Sequence, residues 1–214
     1  MSANVIYQAT PAEDRATKPV YRQILAEEFT DEAGRKLYED WFRDAIANNP
    51  ALVIEPCREY DLTDERWYPG ATEFSVHDGE GGSVGRIDVL LLSESGRIGI
   101  VETKLAYNAE GRRKVLAQLL DYAVHLPELE VGEMPPIPSE AKVSPNDVAE
   151  HLSRGDFLLI IAGDQLDSRA VRLSQAILGD HMVNEWNLAL VDLSLYKRVA
   201  GDGPTHLIVE DSRH

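Results

Sequence analysis

The stretch from 86 to 104, RIDVLLLSESGRIGIVETK, constrains this chain more than any other. Two apolar runs, Ile87–Leu92 and Ile98–Val101, flank a short turn that contains Gly96. Neither run alternates with polar residues, so both faces of each strand need cover. Two such strands joined by a tight turn predict a buried hairpin. Asp88 is the exception inside the first run. A charge in a buried strand is costly unless it is paired or binds a metal.

The rest of the chain supplies the cover. Residues 30–48 read as a helix, with Thr30 as N-cap and Asp31 and Glu32 at the positive end of the dipole. Leu37, Trp41, Ala45 and Tyr38, Phe42, Ile46 form two i,i+4 rows. A second helix spans 111–126, with Val115, Leu116, Leu119, Leu120 and Ala123 on its apolar face. Residues 51–78 give a weaker pattern, with an edge strand at Glu73–His77, and Asp78–Gly85 is a glycine-rich turn.

Residues 127–145 hold five prolines and read as a surface insertion. Ser144 and Pro145 fit the N-cap and first position of a helix running to about Leu152. Phe157–Ala162 and Asn187–Leu193 read as buried strands around a helix at Ser168–Leu178, which favours a parallel crossover. The predicted architecture is α/β, a central mixed β-sheet flanked by helices. Residues 30–200 make one domain, 1–29 an N-terminal arm with a short helix near Tyr21–Glu28, and 201–214 a C-terminal tail.

Composition narrows the setting. The 214 residues are 43% hydrophobic and 27% charged, which suits a globular domain with a sizeable core. No apolar run reaches membrane-spanning length, the first residues do not read as a secretion signal, and Cys57 is the only cysteine. A cytoplasmic location and no membrane partner are the expectations. The net charge of -16 argues against a surface that grips nucleic acid everywhere. It leaves room for a cleft whose field a bound cation inverts.

Glu102 and Lys104 project to the same side of the second strand, because side chains repeat every two residues. Asp88 can join them from the neighbouring strand. Two carboxylates suit Mg²⁺ or Mn²⁺, and a lysine beside them can act on a water or a phosphate. The plain alternative is an ion pair at a strand end. Gln118 and Tyr122 sit one turn apart on the following helix, with Lys114 a turn before, so they form a polar row beside the packed stripe.

The stretch GRIDVLLLSESGRIGIVETKLAYNAEGRRKVLAQLLDYAVHL resembles the PD-(D/E)XK nuclease superfamily, in its RecB-like subgroup. The matching positions are Asp88, then Glu102–Thr103–Lys104, then Gln118 and Tyr122 in a Q-x3-Y pattern. Ile87 stands where the family's name has proline. The resemblance implies a restriction-endonuclease-like core and metal-dependent hydrolysis of phosphodiesters, with DNA favoured over RNA. It implies Mg²⁺ or Mn²⁺ held by Asp88 and Glu102, with the Thr103 backbone carbonyl as a further ligand. Lys104 would act on the attacking water, and Gln118 and Tyr122 would position Lys104 or a substrate phosphate. Glu39 is the candidate for an added acid from the first helix. Arg86, Arg112, Arg113 and Lys114 are candidates for a basic rim. A homodimer or larger assembly fits the pattern. The rival expectation is a catalytically inactive nucleic-acid-binding or protein-interaction module of the same fold.

Overall fold

The computed structural model describes residues 20–24, 39–59, 62–78, 82–104, 109–129, 131–164, 166, 186–201 and 206–210. Side chains are described for all of these except 20, 109–113, 131 and 206–210. The elements, in chain order, are β1 Val20–Ile24, α1 Glu39–Asn48, α2 Ala51–Glu59, β2 Trp67–His77, β3 Ser83–Ser93 and β4 Ile98–Lys104. There follow α3 Ala109–His125, α4 Pro145–Arg154, β5 Phe157–Gly163, β6 Asn187–Ala200 and β7 His206–Glu210. The fold is α/β, with a mixed sheet flanked by helices. Six strands run in the order β1-β6-β5-β4-β3-β2, and β7 adds to β6.

The expected hairpin forms. β3 and β4 pair antiparallel from Leu92↔Ile98 to Val89↔Val101, and Gly96 turns the chain with φ 100. That φ is open to glycine at little cost. The two strands expected to flank a crossover pair in parallel, with β5 and β6 in register from Leu158↔Asn187 to Gly163↔Asp192. β4 lies parallel to β5 on its other side. The expected helix at Ser168–Leu178 and the start of the helix at 30–48 lie outside the described residues.

Both faces of the hairpin are covered, which is why its sequence does not alternate. Val89, Leu91 and Val101 pack with Phe42 and Ile46 of α1 and with Leu52 and Val53 of α2. Leu90, Leu92, Ile98 and Ile100 pack with Val115, Leu119 and Tyr122 of α3 and with Val148 and Leu152 of α4. Each such side chain contributes roughly 1.5–3 kcal/mol on leaving water. The two cores therefore clamp the sheet from both sides. Ser144 caps α4 as expected, accepting from the Asn146 N–H at 3.1 Å, with Pro145 in the first turn.

Several elements differ from the sequence reading. Residues 20–24 are a strand rather than part of a short helix, and they pair antiparallel with residues 195–200. Their backbone groups find partners on β6, and that pairing outweighs any local helical preference. Residues 206–210, expected as tail, also form a strand on β6. Residues 51–59 form a helix although Pro56 lies inside it. Leu52, Val53, Ile54 and Cys57 are buried there, so packing offsets the missing hydrogen bond.

A buried arginine ties the hairpin turn to the neighbouring strands. Arg97 Nε lies 2.7 Å from Asp156 Oδ1, and its Nη2 donates to the Phe157 carbonyl at 3.0 Å and to Asn187 Oδ1 at 2.6 Å. Asp156 in turn meets His151 Nδ1 at 2.8 Å. The charge is paired with Asp156 and both terminal nitrogens are hydrogen-bonded, Nη1 donating to the Leu62 carbonyl at 3.2 Å, while Nε makes no hydrogen bond of its own. A cavity of about 540 Å³, lined by Arg58, Leu62, Thr63, Asp64, Glu65 and Arg97, lies at this start of β4.

Candidate active site

The site forms where β3 and β4 part. Their ladder stops at Val89↔Val101, whereas β4 stays paired with β5 as far as Lys104↔Gly163. On the other side of β3, the register passes from Thr72↔Val89 to Phe74↔Ile87 and leaves Glu73 and Asp88 out. Asp88 is therefore outside both ladders. The packing alternation also slips there, since Ile87 shares a core with Leu90 while Val89 belongs to the other.

Side chains replace the missing ladder bonds. Asp88 Oδ2 accepts from the Thr103 N–H and from the Thr103 hydroxyl, both at 2.8 Å. The Asp88 N–H points to Glu102 Oε1 at 3.4 Å, a weak bond. Glu102 Oε2 lies 3.7 Å from Lys104 Nζ, and so does Glu39 Oε2. Asp88, Glu102 and Lys104 are thus brought together, as the spacing predicts, and Glu39 reaches Lys104 from α1. Two carboxylates, Glu39 and Glu102, flank the one ammonium, and with Asp88 on Thr103 close by the site carries an excess of negative charge.

That excess is poorly solvated. Glu102 is 1% exposed and the Lys104 side chain 11%. Burial, and next the charge of Asp88, push the Glu102 carboxyl up to about 8, although Lys104 opposes them. A crowded, half-desolvated acid pair is the setting a divalent cation relieves. Among the described residues no group of three or more His, Cys, Asp or Glu converges as a metal cage. Mg²⁺ does not need one, because it commonly binds through one or two carboxylates and keeps several waters. The donor set at Asp88 and Glu102 fits that chemistry.

Tyr122, bonded by Gln118, reaches the backbone of β3 rather than Lys104. The Tyr122 hydroxyl donates to the Arg86 carbonyl at 2.8 Å, and Gln118 Nε2 donates to that hydroxyl at 3.0 Å. The row holds the backbone of β3 two residues before Asp88; it does not touch Lys104. Tyr122 is fully buried, and burial, then the charge of Glu102, push its phenol up to about 12. Gly85 makes room for it, since a Cβ there would come within 2.8 Å of the hydroxyl. Tyr122→Phe is expected to cost about 1–2 kcal/mol, because the Arg86 carbonyl loses its donor. A shift in the urea midpoint at unchanged slope measures this, and no shift would show that the clamp is idle.

Gly163 fixes the other wall. A Cβ there would fall 1.9 Å from the Lys104 carbonyl, so glycine lets β5 approach the end of β4 closely. Of the rim candidates, Arg86 and Lys114 are exposed, and the side chains of Arg112 and Arg113 lie outside those described. Two residues beside the site were missed by the sequence reading. Glu73 has φ 50, the one positive value at a non-glycine among the described residues. Arg43 Nη1 lies 3.0 Å from Glu73 Oε1, and Arg86 Nη1 lies 3.7 Å from Glu73 Oε2. The i,i+4 spacing of Glu39 and Arg43 could have flagged the second of these.

No helix among the described residues is long and apolar enough to cross a membrane. No protein-family model matches this chain, and neither a curated protein nor a solved structure matches it.

Proposed function

We propose that this chain is a Mg²⁺- or Mn²⁺-dependent nuclease with a restriction-endonuclease-like core, hydrolysing phosphodiester bonds in DNA ahead of RNA. One observation carries the reading. The β3–β4 ladder opens at Asp88 and Glu102, and two acids and Lys104 fill the gap with side-chain contacts. A buried hairpin of this kind has no structural need for such an opening, which gives up ladder bonds and buries charge.

Asp88 and Glu102 would hold the ion. The Thr103 N–H donates to Asp88, and since the carbonyl of a strand residue faces the same way as its N–H, this supports the Thr103 carbonyl as a further ligand. When bound, a divalent ion would supply polarisation of the phosphate and acidification of a water. Lys104 would orient the attacking water and offset charge on the phosphate oxygens. Glu39 steadies Lys104 from α1. Tyr122 and Gln118 hold β3 so that Asp88 keeps its place.

The second reading is a binding module without catalysis. The net charge of -16 and the pairing of Lys104 with both Glu39 and Glu102 favour it. Plasmid, single-stranded DNA and RNA, each with Mg²⁺ or Mn²⁺, separate the two. Wild type is expected to cleave at least one substrate, and Asp88→Ala and Lys104→Ala none. Intact substrates throughout, or cleavage that survives both substitutions, would remove the nuclease assignment.

A further inference from the structure

Glu73 is the oddest residue near the site. It lies on the edge strand β2 between Thr72 and Phe74, whose partners Val89 and Ile87 flank Asp88, in a backbone conformation that side chains rarely adopt. Its carboxylate reaches two guanidiniums, Arg43 at 3.0 Å through one oxygen and Arg86 at 3.7 Å through the other. Both arginines adjoin the site by the geometry of their own elements. On α1, Glu39 reaches Lys104 and Arg43 follows one turn later. On β3, Asp88 bonds Thr103, and Arg86 precedes it by two residues. Arg86 is mostly exposed, and the Glu73 carboxylate is half exposed, so the bridge opens to solvent.

We infer that the Arg43–Arg86 pair is the seat of a nucleic-acid backbone phosphate next to the cleaved bond, and that Glu73 fills it when no substrate is bound. The inference rests on the nuclease or nucleic-acid-binding reading above. A phosphodiester carries one negative charge on two free oxygens, as a carboxylate does. The exchange is anion for anion. The other acids on Arg43, Asp44 at 3.0 Å and Asp40 at 3.8 Å, keep their roles, and the displaced Glu73 carboxylate turns to solvent, where its charge is screened. Nε and Nη2 of Arg43 stay with Asp44, so each arginine offers one Nη1, and the two together match the two free oxygens of a phosphodiester. A built-in competitor also fits an acidic protein, because the substrate must displace Glu73 and only a correctly seated strand does so.

The test is binding of a labelled single-stranded or duplex DNA oligonucleotide, followed by anisotropy in EDTA so that nothing is cut. Glu73→Gln is expected to tighten binding about tenfold and to steepen its salt dependence. Adding Arg43→Met or Arg86→Met to that variant reverses the gain and flattens the log–log salt slope by about 0.7–0.9 each. Glu150→Gln, which frees Arg154 of its i,i+4 partner on α4, is the control for net charge and leaves binding within about twofold. Glu73→Gly repeats the test with a residue that accepts the positive φ, should the Gln variant fold poorly. The inference is overturned if Glu73 variants bind like wild type, if the gain survives loss of both arginines, or if no variant binds DNA. Binding as expected without any cleavage keeps the inference and removes catalysis. Cleavage by wild type with binding indifferent to residue 73 removes the inference and keeps the nuclease.

Discussion

Glu102→Gln is expected to lower metal-dependent cleavage about 10³-fold or more, equivalent to about 4 kcal/mol of transition-state stabilisation. The amide keeps the shape of the side chain and can still accept from the Asp88 N–H. It removes one of the two charges that hold the ion, and it removes the pairing with Lys104. Initial rates at saturating Mg²⁺ measure the loss. A variant that keeps more than about a tenth of the wild-type rate takes Glu102 out of the site.

The same substitution is expected to stabilise the metal-free protein at alkaline pH, by about 2–4 kcal/mol near pH 9. Glu102 is raised from an ordinary 4.5 to about 8 by burial and by Asp88. Between those values the folded chain holds a proton that the unfolded chain has released. Stability therefore falls as pH rises through this window, and the fall is complete above about 8. Gln carries no such proton, so its stability curve lacks that slope and meets wild type below the window. Urea midpoints at about pH 5 and about pH 9 compare the two, and parallel profiles would contradict the assigned cause. Mg²⁺ should stabilise wild type more at the higher pH, because it replaces a proton that must otherwise be displaced.

The hairpin, the parallel pairing of β5 with β6 and the meeting of Asp88, Glu102 and Lys104 were legible because each rests on short-range pattern, whereas Glu39 came from the family resemblance alone. Apolar runs fix the strands, the period of two puts Glu102 beside Lys104, and register puts Asp88 opposite Glu102. The cap at Ser144 was legible for the same reason. The missed elements depend on distant partners. VYRQI at 20–24 is a strand because residues 195–200 lie beside it, some 170 positions away in sequence. α2 contains a proline, so its helix is set by burial rather than by propensity. The bond from Tyr122 to the Arg86 carbonyl was not legible, because periodicity fixes which residues share a helix face, not what that face meets. Arg43 and Glu73 come together only when α1 lies against β2, and no spacing in the chain encodes that meeting.

β6 sets the order in which this protein can assemble. Its first half completes the parallel part of the sheet against β5, and its second half carries β1 on one edge and β7 on the other. During synthesis the first strand emerges long before its partner exists. Residues 20–24 must wait unpaired until residues 195–200 have been made. Closing so long a loop is slow, and pairings of this kind slow folding more than any local element. Until then the apolar edge of β5 is open on the growing chain, a target for chaperones or for pairing with a neighbouring copy. Residues at the start of β6, far from Asp88, therefore govern yield more than rate. Leu188 and Val191 are buried there, and polar substitutions at these positions should appear as loss of soluble protein.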